Sequence, residues 1–169
     1  MTATKTATKT ATKTAASPKA KPASKDAIAL LKADHVAVSK MFAEYEKARS
    51  VTSKKKLVGE ICTALTLHAQ IEEEIFYPAV KAKLKDKLLV PEATVEHASL
   101  KELIAQIEGV EPDGEMFDAK VKVLSEYVKH HVKEEQNEMF PKAKASTLDM
   151  VELGSRMTAR KEDLLAQVT

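Results

Sequence analysis

Tryptophan is absent from this 169-residue chain, aromatics make up 4% of it, and there are only four glycines and six prolines. With Ala, Leu, Lys and Glu plentiful, that shortage of turn-formers and large rings favours helix. A single cysteine, Cys62, excludes an intramolecular disulfide framework and fits a reducing, cytoplasmic setting; it reads as a buried structural thiol. No apolar run approaches the length of a bilayer span, so no membrane partner is expected. The N-terminus has no apolar core of the kind a secretory signal needs.

Acids are missing from residues 1–25, which carry Lys5, Lys9, Lys13, Lys19, Lys21 and Lys25. Removing that +6 from the overall +2 leaves the remainder at −4, so the body gives no general reason to expect nucleic acid. The run TATKTATKTATKT has a four-residue period and almost nothing to bury, and is expected to be disordered. A solubilising tail is the plainer reading of residues 1–25. A basic arm for nucleic acid or another anionic surface is the alternative. The length suits one domain with a sizeable core, placed at 26–169.

From Ser24 or Asp26, either of which suits a helix cap, four long helices are expected. They run from about Asp26 to Arg49, from Ser53 to at least Phe76 with continuation past Pro78 left open, from Pro91 to Gly109, and from Asp113 to Phe140. Ser146-Thr147 is expected to cap a fifth, shorter helix reaching Gln167. Each long helix carries one stripe at alternating spacings of three and four. The first shows Ile28, Leu31, His35, Val38, Phe42 and Tyr45, and the second Val58, Ile61, Leu65, His68, Glu72, Ile75 and Ala79. The third shows Ala93, His97, Leu100, Ile104 and Ile107, and the fourth Phe117, Val121, Leu124, Val128, His131 and Glu135. Short connections favour an all-α, up-down four-helix bundle, with the basic tail before it and the short helix after it.

Every stripe contains one histidine, and only His130 lies off a stripe, as a surface residue. His35 and His68 lie 16 and 17 residues either side of Val51, and His97 and His131 lie 17 either side of Gly114. Equal distance from a turn means equal height in an antiparallel hairpin, so the four rings can meet in one layer. The chain also resembles a duplicated hairpin. "DHVAVSKMFAEYE" overlies "EHASLKELIAQIE" at a shift of 62, and "HAQIEEEIFYP" matches "HVKEEQNEMFP" at 63. Glu72 and Glu135 then lie one turn beyond the histidine layer, on the same side.

An ionised carboxylate in an apolar core is strongly disfavoured unless paired or metal-bound. Two of them beside four imidazoles make sense around two cations, with each glutamate able to bridge both. Nitrogen and oxygen donors without nearby thiolate suit iron, with manganese or zinc as alternatives. The candidate ligands are His35, His68, Glu72, His97, His131 and Glu135.

The pattern His35, His68-xxx-Glu72, His97, His131-xxx-Glu135, with its aromatic-Pro endings FYP and MFP, resembles the hemerythrin-like family, or HHE cation-binding domain, over about residues 26–142. The resemblance implies an up-down bundle holding two iron ions joined by an oxo or hydroxo bridge. It implies a small ligand at the metals: O2, peroxide, nitric oxide or an azide-like anion. Oxygen-carrying members have a further histidine where this chain has Lys101, and a final Asp where it has Gln136. One nitrogen ligand is therefore missing. The position is either open or filled by Tyr45, Tyr127 or Glu134, and Lys101 either neutralises a carboxylate or hydrogen-bonds a bound oxygen species. Phe42, Phe76, Ile75 and Ile104 are expected to wall the pocket. The leading reading is a di-iron protein that binds or senses such a ligand, or responds to iron or redox state. The alternatives are a di-iron enzyme decomposing peroxide or oxidising ferrous iron, and a metal-sensing interaction module using the basic tail.

Overall fold

The computed structural model describes residues 26–168, and the expected tail at 1–25 lies outside them. Asp26 Oδ1 accepts the Ala29 N–H at 2.8 Å and starts α1 (Ala27–Lys47), a cap of about 1 kcal/mol. Ser50 starts α2 (Val51–Ile71) in the same way, at 3.1 Å from the Ser53 N–H and ahead of the expected start. A π-helical segment, Glu72–Phe76, carries α2 into α3 (Tyr77–Lys83). The next rod, α4 (Leu89–Ile107), begins before Pro91, whose missing N–H falls in a first turn that does not need it. Gly109, at φ 71°, takes the left-handed conformation that turns the chain after α4. Then α5 (Glu115–Glu134) passes through a second π segment, Glu135–Met139, into α6 (Phe140–Ala145). Finally α7 (Met150–Val168) packs on α1, α2 and the first π segment. Among the described residues no helix is long and apolar enough to cross a membrane.

The rods α1, α2–α3, α4 and α5–α6 make the up-down bundle, and the stripes of α1, α4 and α5 are buried as expected. The second stripe departs from expectation. Ile75 and Ala79 are only half-buried, and Phe76, Tyr77 and Val80 take the core instead. Within the bends, the Tyr77 N–H reaches the Glu72 carbonyl and the Phe140 N–H reaches the Glu135 carbonyl, both i→i+5 bonds. Pro78 and Pro141 come immediately afterwards. In a regular α-helix each ring would clash with the carbonyl four residues back. The wider π turn relieves this, and it rotates the downstream residues about the helix axis.

The buried apolar residues form two clusters. One gathers Leu31, Leu67, Ile71, Phe76, Val80 and Phe140 with Leu153, Met157 and Leu164 of α7. The other gathers Val38, Phe42, Ile61, Leu65, Leu100, Ile104, Phe117 and Leu124. Burying each such large side chain contributes about 1.5–3 kcal/mol. Six further buried residues carry titratable groups: His35, His68, Glu72, His97, His131 and Glu135.

Candidate metal centre

These are the six residues that the stripes single out, and each is at most 7% exposed. The bundle brings them into one layer. His35 Nε2 and His68 Nε2 lie 3.1 Å apart, as do His97 Nε2 and His131 Nε2. Glu72 stands between the pairs, with Oε1 3.2 Å from His68 Nε2 and Oε2 3.3 Å from His97 Nε2. Glu135 Oε2 is 3.3 Å from His35 Nε2. Two groupings of possible cation donors result: His35, His68, Glu72 and Glu135, and then Glu72, His97 and His131. Glu72 is common to both.

The outer faces of the rings are also occupied. Asp34 Oδ2 lies 3.3 Å from His68 Nδ1, Glu73 Oε1 2.9 Å from His97 Nδ1, and Glu96 Oε2 2.6 Å from His131 Nδ1. The side-chain amide of Gln136 lies 2.9 Å from His35 Nδ1. A carboxylate can only accept, so Nδ1 of His68, His97 and His131 must carry the hydrogen. Amide oxygen and nitrogen are interchangeable by a flip, so Gln136 can accept from His35 likewise. A neutral ring donating from Nδ1 leaves a lone pair on Nε2. The four Nε2 atoms converge beside the two carboxylates, the outer-partner arrangement typical of metal-ligating histidine.

The electrostatics of the site show the tension. Burial, helped by repulsion from His68, pushes His35 down to about 3. Burial opposes charge on His68 too, but Glu72 and Asp34 prevail and hold it up at about 10. Glu72 lies well below the usual carboxylate range: burial works against this, and His68 and His97 overcome it. Burial and the neighbouring Glu72 hold Glu135 well above that range.

The donor set fits a cation. Glu72 Oε1 and Glu135 Oε2 are fully buried without a hydrogen-bond partner, a costly condition for a carboxylate oxygen. The two Nε2 atoms of each histidine pair, 3.1 Å apart, lie close enough together to share one ion. Cys62 is buried in the apolar cluster on one side of the layer, where burial raises its thiol to about 11, so no thiolate competes.

Tyr77 was not among the sequence candidates, yet its hydroxyl enters the layer. It lies 3.2 Å from His97 Nε2, 3.5 Å from His131 Nε2, 3.4 Å from Glu72 Oε2 and 3.3 Å from Glu135 Oε1. Burial, with Glu72 and Glu135 beside it, pushes its phenol far above the ordinary value. The three residues considered as replacements for the missing nitrogen ligand lie elsewhere. Tyr45 donates to Asp118, Tyr127 is half exposed, and Glu134 pairs with His130 beside Glu96. Lys101 neutralises a carboxylate, bonding both oxygens of Glu73 at 2.6–2.7 Å. The one signal for Tyr77 was the proline after it, which marks the π turn.

A cavity of about 30 Å³ touches all four imidazoles and is walled by Val38, Leu65, Leu100, Ile104 and Val128, room for about one small ligand. Of the residues expected to wall it, Ile104 does. Phe76 and Ile75 pack instead in the cluster with α7, and Phe42 in the opposite cluster.

Comparison with known proteins gives a family and a fold. Residues 26–143 match the family described as Hemerythrin HHE cation binding domain. A crystal structure of an HHE cation-binding-domain protein from Mycobacterium kansasii superposes with a TM-score of 0.74 at 22% identity, covering 85% of this chain and 89% of that one; it shows the fold. A Nostoc protein named DNA nickase is 29% identical over 111 residues, 66% of this chain. The chain spans about a third of that relative's length, the match covering 31% of it.

Proposed function

The chain belongs to the hemerythrin HHE cation-binding family, and from that premise we propose that it holds two iron ions and uses them to bind or sense O2, peroxide or nitric oxide. His35, His68, Glu72 and Glu135 surround one position. His97, His131 and the second oxygen of Glu72 surround the other, with the Tyr77 oxygen beside it. The observation that carries this reading is the Glu72 carboxylate, which turns one oxygen to each histidine pair and leaves Oε1 without a hydrogen bond.

The residues divide the work. Asp34, Glu73, Glu96 and Gln136 hold the rings by Nδ1 so that Nε2 points inward. The small cavity, mostly apolar with Asp34, Thr66 and Lys101 also on its lining, has room for one small ligand against the imidazoles. Iron bound there supplies Lewis acidity and redox chemistry. The donor set, rich in imidazole and carboxylate and free of thiolate, supports iron over softer choices, with manganese and zinc the competitors.

Metal analysis of the full chain purified without chelator tests the reading. Two irons per chain, a visible spectrum that changes with azide, and a melting temperature lowered by chelator are expected. A chain that takes up no iron and melts identically with and without chelator sinks it.

A second reading has two observations behind it. Residues 1–25 carry six lysines and no acid, and the Nostoc relative is named for action on DNA. In that reading the tail is a separate unit that attaches the metal-responsive bundle to nucleic acid. Binding that weakens steeply with salt, and disappears on deletion of residues 1–25, is its expected mark. Salt-insensitive binding, or none, removes it.

A further inference from the structure

We propose that Lys161, on α7, is a positioning residue for His68 and acts through Asp34. The proposal rests on the cation reading only for its consequence at the metals. Lys161 lies beyond residues 26–143, the family-matched part of the chain. Its Nζ bonds Asp34 Oδ1 at 2.5 Å, while Asp34 Oδ2 faces His68 Nδ1 at 3.3 Å. One carboxylate thus joins the added helix to the imidazole of a candidate ligand.

Three features set this relay apart. Lys161 stands four residues after Met157 and three before Leu164, both buried. It therefore occupies a place on the core-facing stripe of α7 where an apolar residue would serve packing alone. The relay is also the most enclosed of the three that end on a basic side chain. The Lys161 and Asp34 side chains are 25% and 16% exposed, against 49% for Lys101 behind Glu73 and 64% for His130 behind Glu96. Lastly, the relays behind His97 and His131 close on α4 and α5, inside the four-rod bundle. Only the His68 relay closes on α7.

Docking of α7 does not need this lysine. Leu153, Met157 and Leu164 bury the helix against the bundle, and Arg160 makes a bidentate pair with Glu74 at 2.6 and 3.0 Å. Lys161 instead holds one oxygen of Asp34 so that the other meets the ring. That keeps Nδ1 of His68 the donor and Nε2 facing Glu72. Release of α7 would free Asp34 and loosen the ring, so the His35–His68 position is the one sensitive to α7.

Two measurements on the full chain test this. Nitrogen-15-edited spectra of the metal-free protein read the His68 Nδ1–H directly, and iron(II) titration reads the two sites. Lys161→Met is expected to shift or broaden the His68 ring signals and to weaken one of two iron equivalents about tenfold, within the 10–100-fold typical of lost outer partners. Lys161→Gln is expected to act alike, and serves if the methionine variant fails to fold. Lys161→Arg is expected to restore both readouts. Arg160→Met, which removes the neighbouring ion pair, is expected to leave the His68 signals unchanged. The proposal is overturned if the uncharged variants leave those signals at wild-type positions, or if Arg160→Met moves them as far. Failure of the wild type to take up iron would remove the cation reading alone, since the ring signals decide the positioning without metal.

Discussion

The two hairpins, α1 with α2–α3 and α4 with α5–α6, carry the same parts about 63 residues apart, yet at three places they differ. Asp34 and Glu96 do the same task, holding Nδ1 of His68 and of His131 on the rod that follows each. Glu73 holds His97 across the bundle, whereas its counterpart Gln136 holds His35 with a neutral amide. Tyr77 sends a hydroxyl among the donors, whereas its counterpart Phe140 stacks on His35 with ring centroids 6.0 Å apart and planes 4° apart. Glu74 pairs with α7, whereas its counterpart Asn137 is exposed. Duplication therefore accounts for a two-position centre, and the mismatches make the positions inequivalent. Only the His97–His131 pair has a phenol oxygen beside it, and among the described residues only the first hairpin makes ion pairs with the C-terminal helix.

That asymmetry can be broken or sharpened by substitution. The largest effect is expected from Glu72→Gln, because this carboxylate serves both histidine pairs. Both iron equivalents should be lost by titration calorimetry, a drop beyond the roughly 10–100-fold of an outer-partner change. Glu135→Gln, which faces only His35 with its orphaned oxygen, should weaken chiefly one equivalent. Equal effects from the two would mean that the carboxylates are interchangeable after all.

Tyr77→Phe makes the first hairpin resemble the second. It should weaken the His97–His131 position about tenfold, roughly 1.4 kcal/mol, and remove any phenolate absorption of the ferric protein. An unchanged visible spectrum and unchanged stepwise affinities would leave the hydroxyl as packing only. In the opposite sense, Gln136→Glu completes a set of four carboxylate-held imidazoles. A few-fold tighter binding at the His35–His68 position is expected, with a metal-free melting temperature lower by a few degrees because the new half-buried charge has no cation behind it.

The smallest effect concerns acid. Hydrogen bonds from Arg160 and then Gln70 hold Glu74 down at about 2, from an ordinary 4.5. Its contribution to α7 docking is complete above about pH 4.5 and disappears as pH falls through about 2. The pair is exposed, so only a modest loss of amide-exchange protection in α7 is expected. Wild type and Arg160→Met, compared over that range, should converge in acid. A constant difference between them would deny the ion pair a part in docking.

Much of this was legible beforehand for a simple reason. A buried helix face repeats at spacings of three and four, so His35, His68, His97 and His131 announce themselves as core residues, and their distances from the turns announce a shared height. Glu72 and Glu135 are conspicuous because acids rarely occupy such positions. The partners on Nδ1 were harder to see. Asp34 and Glu96 directly precede a stripe histidine, and Glu73 and Gln136 come directly after a stripe glutamate, where charge usually means solvent. Tyr77 was hidden because the stripe was continued with α-helical spacing through Ile75 and Ala79, whereas the chain takes an extra residue before Pro78.

Sequence alone indicated four amphipathic rods in a bundle, most of the residues that line its interior, and four imidazoles at one level with two acids one turn beyond them. These stem from local periodicity and from the cost of burying charge, both written along the chain. Only the tertiary structure decided which oxygen faces which ring, that a phenol joins them, and that a lysine 127 positions away from Asp34 backs the carboxylate beside His68. Such contacts depend on how rods turn and cross, and a single π turn is enough to swing every side chain beyond it onto a different face.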